Sequence, residues 1–186
     1  GNPSFLALRP ADSAETSVAW KMALENKNTP TGLILSRQNI KDIPAMGASR
    51  YKEALAAEKG GYLVKKVDNP DVVLIANGSE VSTLIAAAAI LESENGLKVN
   101  IASVISEGVF RLQSKEYQNS IIPKNKPLFG LTAGLPVNLE GLVGDNGKVF
   151  GLDHFGYSAP ANVLDEKFGF TGEKVSKEVL AYLKTV

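Results

Sequence analysis

Asp71-Val72-Val73-Leu74-Ile75-Ala76 runs directly into Asn77-Gly78-Ser79-Glu80-Val81, and this stretch decides the architecture. An apolar run with almost no alternation marks a strand covered on both faces, as in the parallel sheets of α/β proteins. The alanine-rich segment 79–94 reads as the covering helix, closed by Asn95-Gly96. Outward from this unit the alternation continues. Residues 61–67 form a short strand with Lys65 and Lys66 outward, an edge pattern. Residues 99–104, 128–132 and 149–152 are further strands; 110–119, 161–167 and 171–183 are helices, with a further helix beginning at Val137. Strands alternating with helices predict an α/β fold: a three-layer α/β/α sandwich on a mainly parallel sheet of about five strands.

A second, smaller unit precedes it. Residues 5–9 are an apolar strand. Asp12 can cap a following helix, with Glu15 reaching back to the cap's own N–H. Val18, Ala19, Met22 and Ala23 give that helix its apolar stripe, widened by Trp20 and Leu24. Pro30 ends it, and 31–35 is a strand. Asn39, Pro44 and Gly47 mark a linker over 38–48, and 51–59 can hold one or two helical turns. The expected division is therefore 1–46 and 47–186.

Composition narrows the function. The 186 residues are 44% hydrophobic, enough for a packed core, and 20 basic residues balance 20 acidic ones. Such neutrality speaks against nucleic acid as a partner. The longest apolar run, 84–91, is too short to span a bilayer, so no membrane association is expected. Without cysteine there is neither a disulfide nor a thiolate metal site, which fits a reducing cytoplasm. Gly1-Asn2-Pro3-Ser4 lacks an initiator Met and leads straight into a strand, so a piece cut from a longer chain is expected.

The most suggestive polar residue is Arg37, in Leu35-Ser36-Arg37-Gln38-Asn39, where the strand 32–35 runs out into a loop. Ligands gather at the carboxyl ends of strands in α/β proteins, and a guanidinium offers a planar fork for phosphate. By itself it could equally pair with a carboxylate or cap a helix. Its companions are Arg9-Pro10-Ala11-Asp12 with Glu15, Gly60-Gly61-Tyr62, and Asn77-Gly78-Ser79-Glu80-Val81. Phe155-Gly156-Tyr157-Ser158-Ala159-Pro160 and Phe168-Gly169-Phe170-Thr171 follow. In this order the series resembles the last third of the transketolases, thiamine-diphosphate enzymes that move two-carbon ketol units between sugar phosphates.

The resemblance implies that 1–46 is the end of the middle, pyrimidine-binding domain and 47–186 the complete last domain. It implies that Arg37 grips a substrate phosphate and that the intact enzyme is a homodimer using thiamine diphosphate and Mg²⁺. The parts that clamp the cofactor, and the active-site histidines, lie upstream in the family. This chain is therefore expected to bind no cofactor or metal alone, to contain no catalytic residue and to be inactive alone. Its expected partners are the remainder of a transketolase chain and a sugar phosphate. Three other readings stay open: a separately encoded regulatory or assembly subunit, the last part of a related thiamine-diphosphate enzyme, and an unrelated α/β module that binds a small molecule at the Asn77 loop.

The remaining candidates read as structural. Asn77 or Ser79 is a helix cap, since the loop lacks the spaced glycines of a dinucleotide site. His154, the sole histidine, lies beside Asp153, but neighbours in a strand face opposite ways and form no dyad. Ser158 can cap the helix that Pro160 begins. Departures from the family pattern fall at Thr132-Ala133-Gly134-Leu135-Pro136 and Ser103-Val104-Ile105-Ser106.

Overall fold

In the computed structural model residues 4–186 are described; Gly1, Asn2 and Pro3 of the expected cut start lie outside the described residues. β1 (Leu6–Leu8) and β2 (Thr31–Leu33) pair in parallel, joined by α1 (Ser13–Glu25). Asp12 caps α1 as its position suggests: Oδ1 accepts from Glu15 N–H at 2.8 Å. Glu15 reaches back one residue further than expected, accepting from Ala11 N–H at 2.8 Å. Val18 and Ala19 face the core, but Trp20 and Leu24 are 54% and 75% exposed, so they do not widen the stripe. β2 stops at Leu33, two residues early. Ile34 still donates to Leu8 O at 2.9 Å, after which the chain leaves the pair.

Residues 34–49 are irregular and lead to α2 (Arg50–Ala54) and a 3₁₀ turn (Leu55–Lys59). Gly60 ends that turn at φ 83°. A Cβ there would lie 2.3 Å from Phe110 N and 2.6 Å from Ser106 O, so both conformation and space demand glycine.

β3 (Tyr62–Lys65), β4 (Val72–Ala76), β5 (Val99–Ser103), β6 (Leu128–Leu131) and β7 (Lys148–Phe150) form one sheet in the order β3-β5-β4-β6-β7. Only the edge strand β3 runs antiparallel to its neighbour. Lys65 points outward to Glu92 at 3.0 Å, as the edge pattern requires. The pleat divides β4 between two cores. Val72, Leu74 and Ala76 pack under α3 (Glu80–Asn95) and α8 (Gly172–Leu183). Val73 and Ile75 face Phe110, Ile121 and Val143, from α4 (Glu107–Arg111), α5 (Lys115–Ile121) and α6 (Val137–Val143). Helix, sheet and helix make the expected three layers, with α7 (Ala161–Phe168) preceding α8.

Two helix expectations need correction. Residues 110–119 are not one helix: Ser114 caps α5, its Oγ accepting from Tyr117 N–H at 3.1 Å, and this splits the segment. α7 begins at Ala161 behind Pro160 with no side-chain cap, so Ser158 does not cap it.

Candidate functional site

The carboxyl ends of the two sheets meet. Arg9 N–H donates to Ile105 O at 2.9 Å, and Gly78 N–H donates to Arg9 O at 3.0 Å. The end of β1 is thereby tied to the segments leaving β5 and β4. The Arg9 guanidinium completes the join, with one Nη on Asn77 Oδ1 at 2.9 Å and the other on Glu80 Oε2 at 2.9 Å. Gly78, at φ 62°, leaves room for the Arg9 stem, 3.2 Å from where a Cβ would sit. Asn77 is thus spent on Arg9, and Ser79 Oγ donates to Glu80 at 2.7 Å. Ser79 occupies the N-cap position of α3 as expected, but neither side chain makes a cap bond, which corrects the expectation for Asn77.

Below this join lies a buried polar cluster that residue spacing does not reveal. Arg50 donates through Nε to Asp12 Oδ2 at 2.7 Å and through Nη to Glu15 at 3.3 Å. Tyr62 OH donates to the same Glu15 oxygen at 2.7 Å. Both carboxylates have fully buried side chains. Burial raises the Glu15 pKa above its ordinary 4.5, although the donors from Tyr62 and Ala11 pull the other way. Burial, and then the Glu15 charge, push the Tyr62 hydroxyl up, so it remains a donor. The cluster binds α1, α2 and β3 into one body. Asp12 and Glu15 were legible as a capping pair. Their partners at 50 and 62 lie too far along the chain for any local pattern to signal them.

Beside the join opens a cleft of about 730 Å³, walled by Arg9, Ser36, Gln38, Ser79, Tyr157 and Phe168 among others. Tyr157 stacks on Phe168 with ring centroids 5.6 Å apart, under the Lys167 ammonium at 4.6 Å. His154 is exposed; its ring lies 5.4 Å from Phe168 and its Nδ1 2.8 Å from Phe155 O. No contact joins it to Asp153.

Arg37 is exposed and does not itself line this cleft, although its neighbours Ser36 and Gln38 do. Among the described residues no carboxylate or carbonyl pairs with its guanidinium. Burying an arginine demands a partner; an exposed one with its fork free is available to an anion. Among the described residues no three His, Cys, Asp or Glu side chains gather as a metal site. No helix there is long and apolar enough to cross a membrane.

Residues 60–171 match the family described as the transketolase-like TK C-terminal domain. The chain is 38% identical to the transketolase of Staphylococcus aureus strain MW2 over 181 residues, 96% of this chain and 27% of that protein. A transketolase of Pichia stipitis solved with sedoheptulose-7-phosphate superposes with a TM-score of 0.89 at 32% identity, over all of this chain and 26% of that one. Transketolase from Leishmania mexicana gives 0.86 at 35% identity, over 98% and 26% of the two chains. A split-gene transketolase, 20% identical with a TM-score of 0.74, shares the fold. The chain spans about a quarter of the length of the curated relatives it matches. It belongs to the transketolase family, as a match to the family's C-terminal part.

Proposed function

We propose that this chain is the C-terminal part of an enzyme that transfers a two-carbon ketol unit between sugar phosphates, and that it supplies Arg37 as the substrate-phosphate grip. Residues 1–46 then close the middle domain and 47–186 form the last one. The observation that carries the reading is the unpaired, exposed Arg37 guanidinium, flanked by two residues that line the cleft, on a chain of this family. A fork presented beyond a strand's carboxyl end can take two phosphoryl oxygens at once.

Thiamine diphosphate and Mg²⁺ enter this reading only in the intact enzyme, where the cofactor supplies the carbanion chemistry. The residues gathered here do not fit the metal: no suitable ligand set exists among those described. No step is therefore assigned through it, and the chain alone is read as inactive. The partner that completes it is the remainder of a transketolase chain, within a dimer in the cytoplasm. Exposed Phe5, Trp20, Leu24, Ile34 and Leu35 support that partner. A two-stranded parallel sheet with bare apolar residues is an unfinished layer that a neighbouring polypeptide would cover.

The test is substrate selectivity in the full-length enzyme that contains this segment. A charge-assisted bond contributes about 1.5–3 kcal/mol, so Arg37→Ala is expected to weaken phosphorylated ketoses about 10- to 100-fold. Unphosphorylated ketoses should be almost unaffected. Equal loss for both classes would show that Arg37 supports the fold instead.

A further inference from the structure

The loop that carries Arg37 is fastened at both ends, and the far fastening rests on two aspartates. At the near end Ile34 N–H donates to Leu8 O at 2.9 Å. Between the ends, Ser36 Oγ donates to Gln38 O at 3.0 Å and little else restrains the backbone. At the far end Asp42 Oδ1 accepts from Ser13 Oγ at 2.6 Å and from Ser13 N–H at 3.1 Å. One residue on, Ile43 N–H donates to Asp12 Oδ2 at 3.1 Å, and the Ile43 side chain is buried.

Asp12 is well placed for this. Its Oδ1 caps α1 while its Oδ2 accepts from both Ile43 and Arg50, so one desolvated carboxylate joins α1, the loop and α2. A hydrogen bond in such a dry setting is electrostatically stronger than one at the surface. The next fastening along the chain is Met46 N–H to Glu53 at 3.1 Å. Releasing 42–43 would therefore lengthen the free segment around Arg37.

We propose that Asp42 and Asp12 are positioning residues for Arg37: by pinning 42–43 to the start of α1 they hold the guanidinium where the phosphoryl group arrives. This rests on the phosphate reading of Arg37 given above. The mechanism is pre-organisation, since a grip already ordered loses less freedom when substrate binds.

Asp42 is the residue to test, because it is exposed and its loss leaves no buried charge unpaired. In Asp42→Ala, backbone order parameters of residues 38–42 should fall from about 0.85 towards about 0.6, while Ile43 stays held by Asp12. In the full-length enzyme the KM ratio of phosphorylated to unphosphorylated ketose should rise about 3- to 10-fold, as expected for one long side chain left to be ordered on binding. Asp42→Asn, whose amide oxygen can still accept from Ser13, should restore both. Unchanged order parameters, or a loosened loop with an unchanged KM ratio, would overturn the proposal. Arg37→Ala separates the two readings. If that variant shows phosphate-selective loss while Asp42→Ala does not, the grip stands and the clasp falls; if Arg37→Ala shows none, the grip itself is wrong.

Discussion

Three donors converge on the Glu15 carboxylate, from Ala11, Tyr62 and Arg50, yet its pKa lies above the ordinary value. Desolvation outweighs them because the side chain has no contact with water, and Asp12 next to it adds repulsion. The sign of the linkage follows. A carboxyl whose folded pKa is raised binds its proton more tightly folded than unfolded. Its contribution to stability is complete below the ordinary 4.5 and is lost as pH rises from there through the folded value. The stability difference between wild type and Glu15→Gln should therefore shift against wild type as pH is raised from about 4.5 to about 7. Denaturant midpoints across that range would measure it, and a constant difference would contradict a raised Glu15 pKa in the folded chain. At this scale the sequence reveals candidates better than relations. Arg37 stood out because a motif surrounds it. Arg9 stood out only as part of one, and its role as a brace on Asn77 and Glu80 emerges from the meeting of two strand ends that are 68 residues apart.

Among the elements, the interior strands were the most legible. Burial on both faces leaves an unbroken apolar run, and Asp71 to Ala76 carries one. The misread elements all sit where local chemistry competes. The helix expected over 110–119 breaks because Ser114 finds an N–H to cap. β2 ends early because β1, with which it pairs, stops at Leu8, after which Arg9 N–H turns to Ile105 O. Trp20 and Leu24 fit an apolar stripe on paper, but nothing covers them. Turn chemistry also sets the route between the 3₁₀ turn and β3. Gly60 adopts a left-handed conformation hard against the backbone of α4 and the residue before it. Gly60→Ala is expected to destabilise the chain by about 1–3 kcal/mol through backbone strain and steric clash. Chemical denaturation would show this as a lowered midpoint, whereas an unchanged midpoint would mean that the turn relaxes freely.

For the whole molecule, the two sheets have unequal standing. The five-stranded sheet is covered on both faces, and the core under α3 and α8 runs on through Leu8, Val18 and Ala19 of the first unit, while the two-stranded sheet leaves apolar residues bare beside it. The first explains why a stretch of 112 residues, 60–171, is recognisable as a domain of known kind. The second is the side that carries Arg37, the proposed phosphate grip, next to the cleft at the junction. Its position suits a division of labour in which this part holds the substrate's tail and an adjoining part performs the chemistry. The most direct test is a crystal structure of the full-length enzyme with a ketose phosphate bound. Both Arg37 terminal nitrogens are expected at about 2.7–2.9 Å from phosphoryl oxygens, the range of charge-assisted bonds. A phosphoryl group held elsewhere, with Arg37 left in solvent, would contradict it.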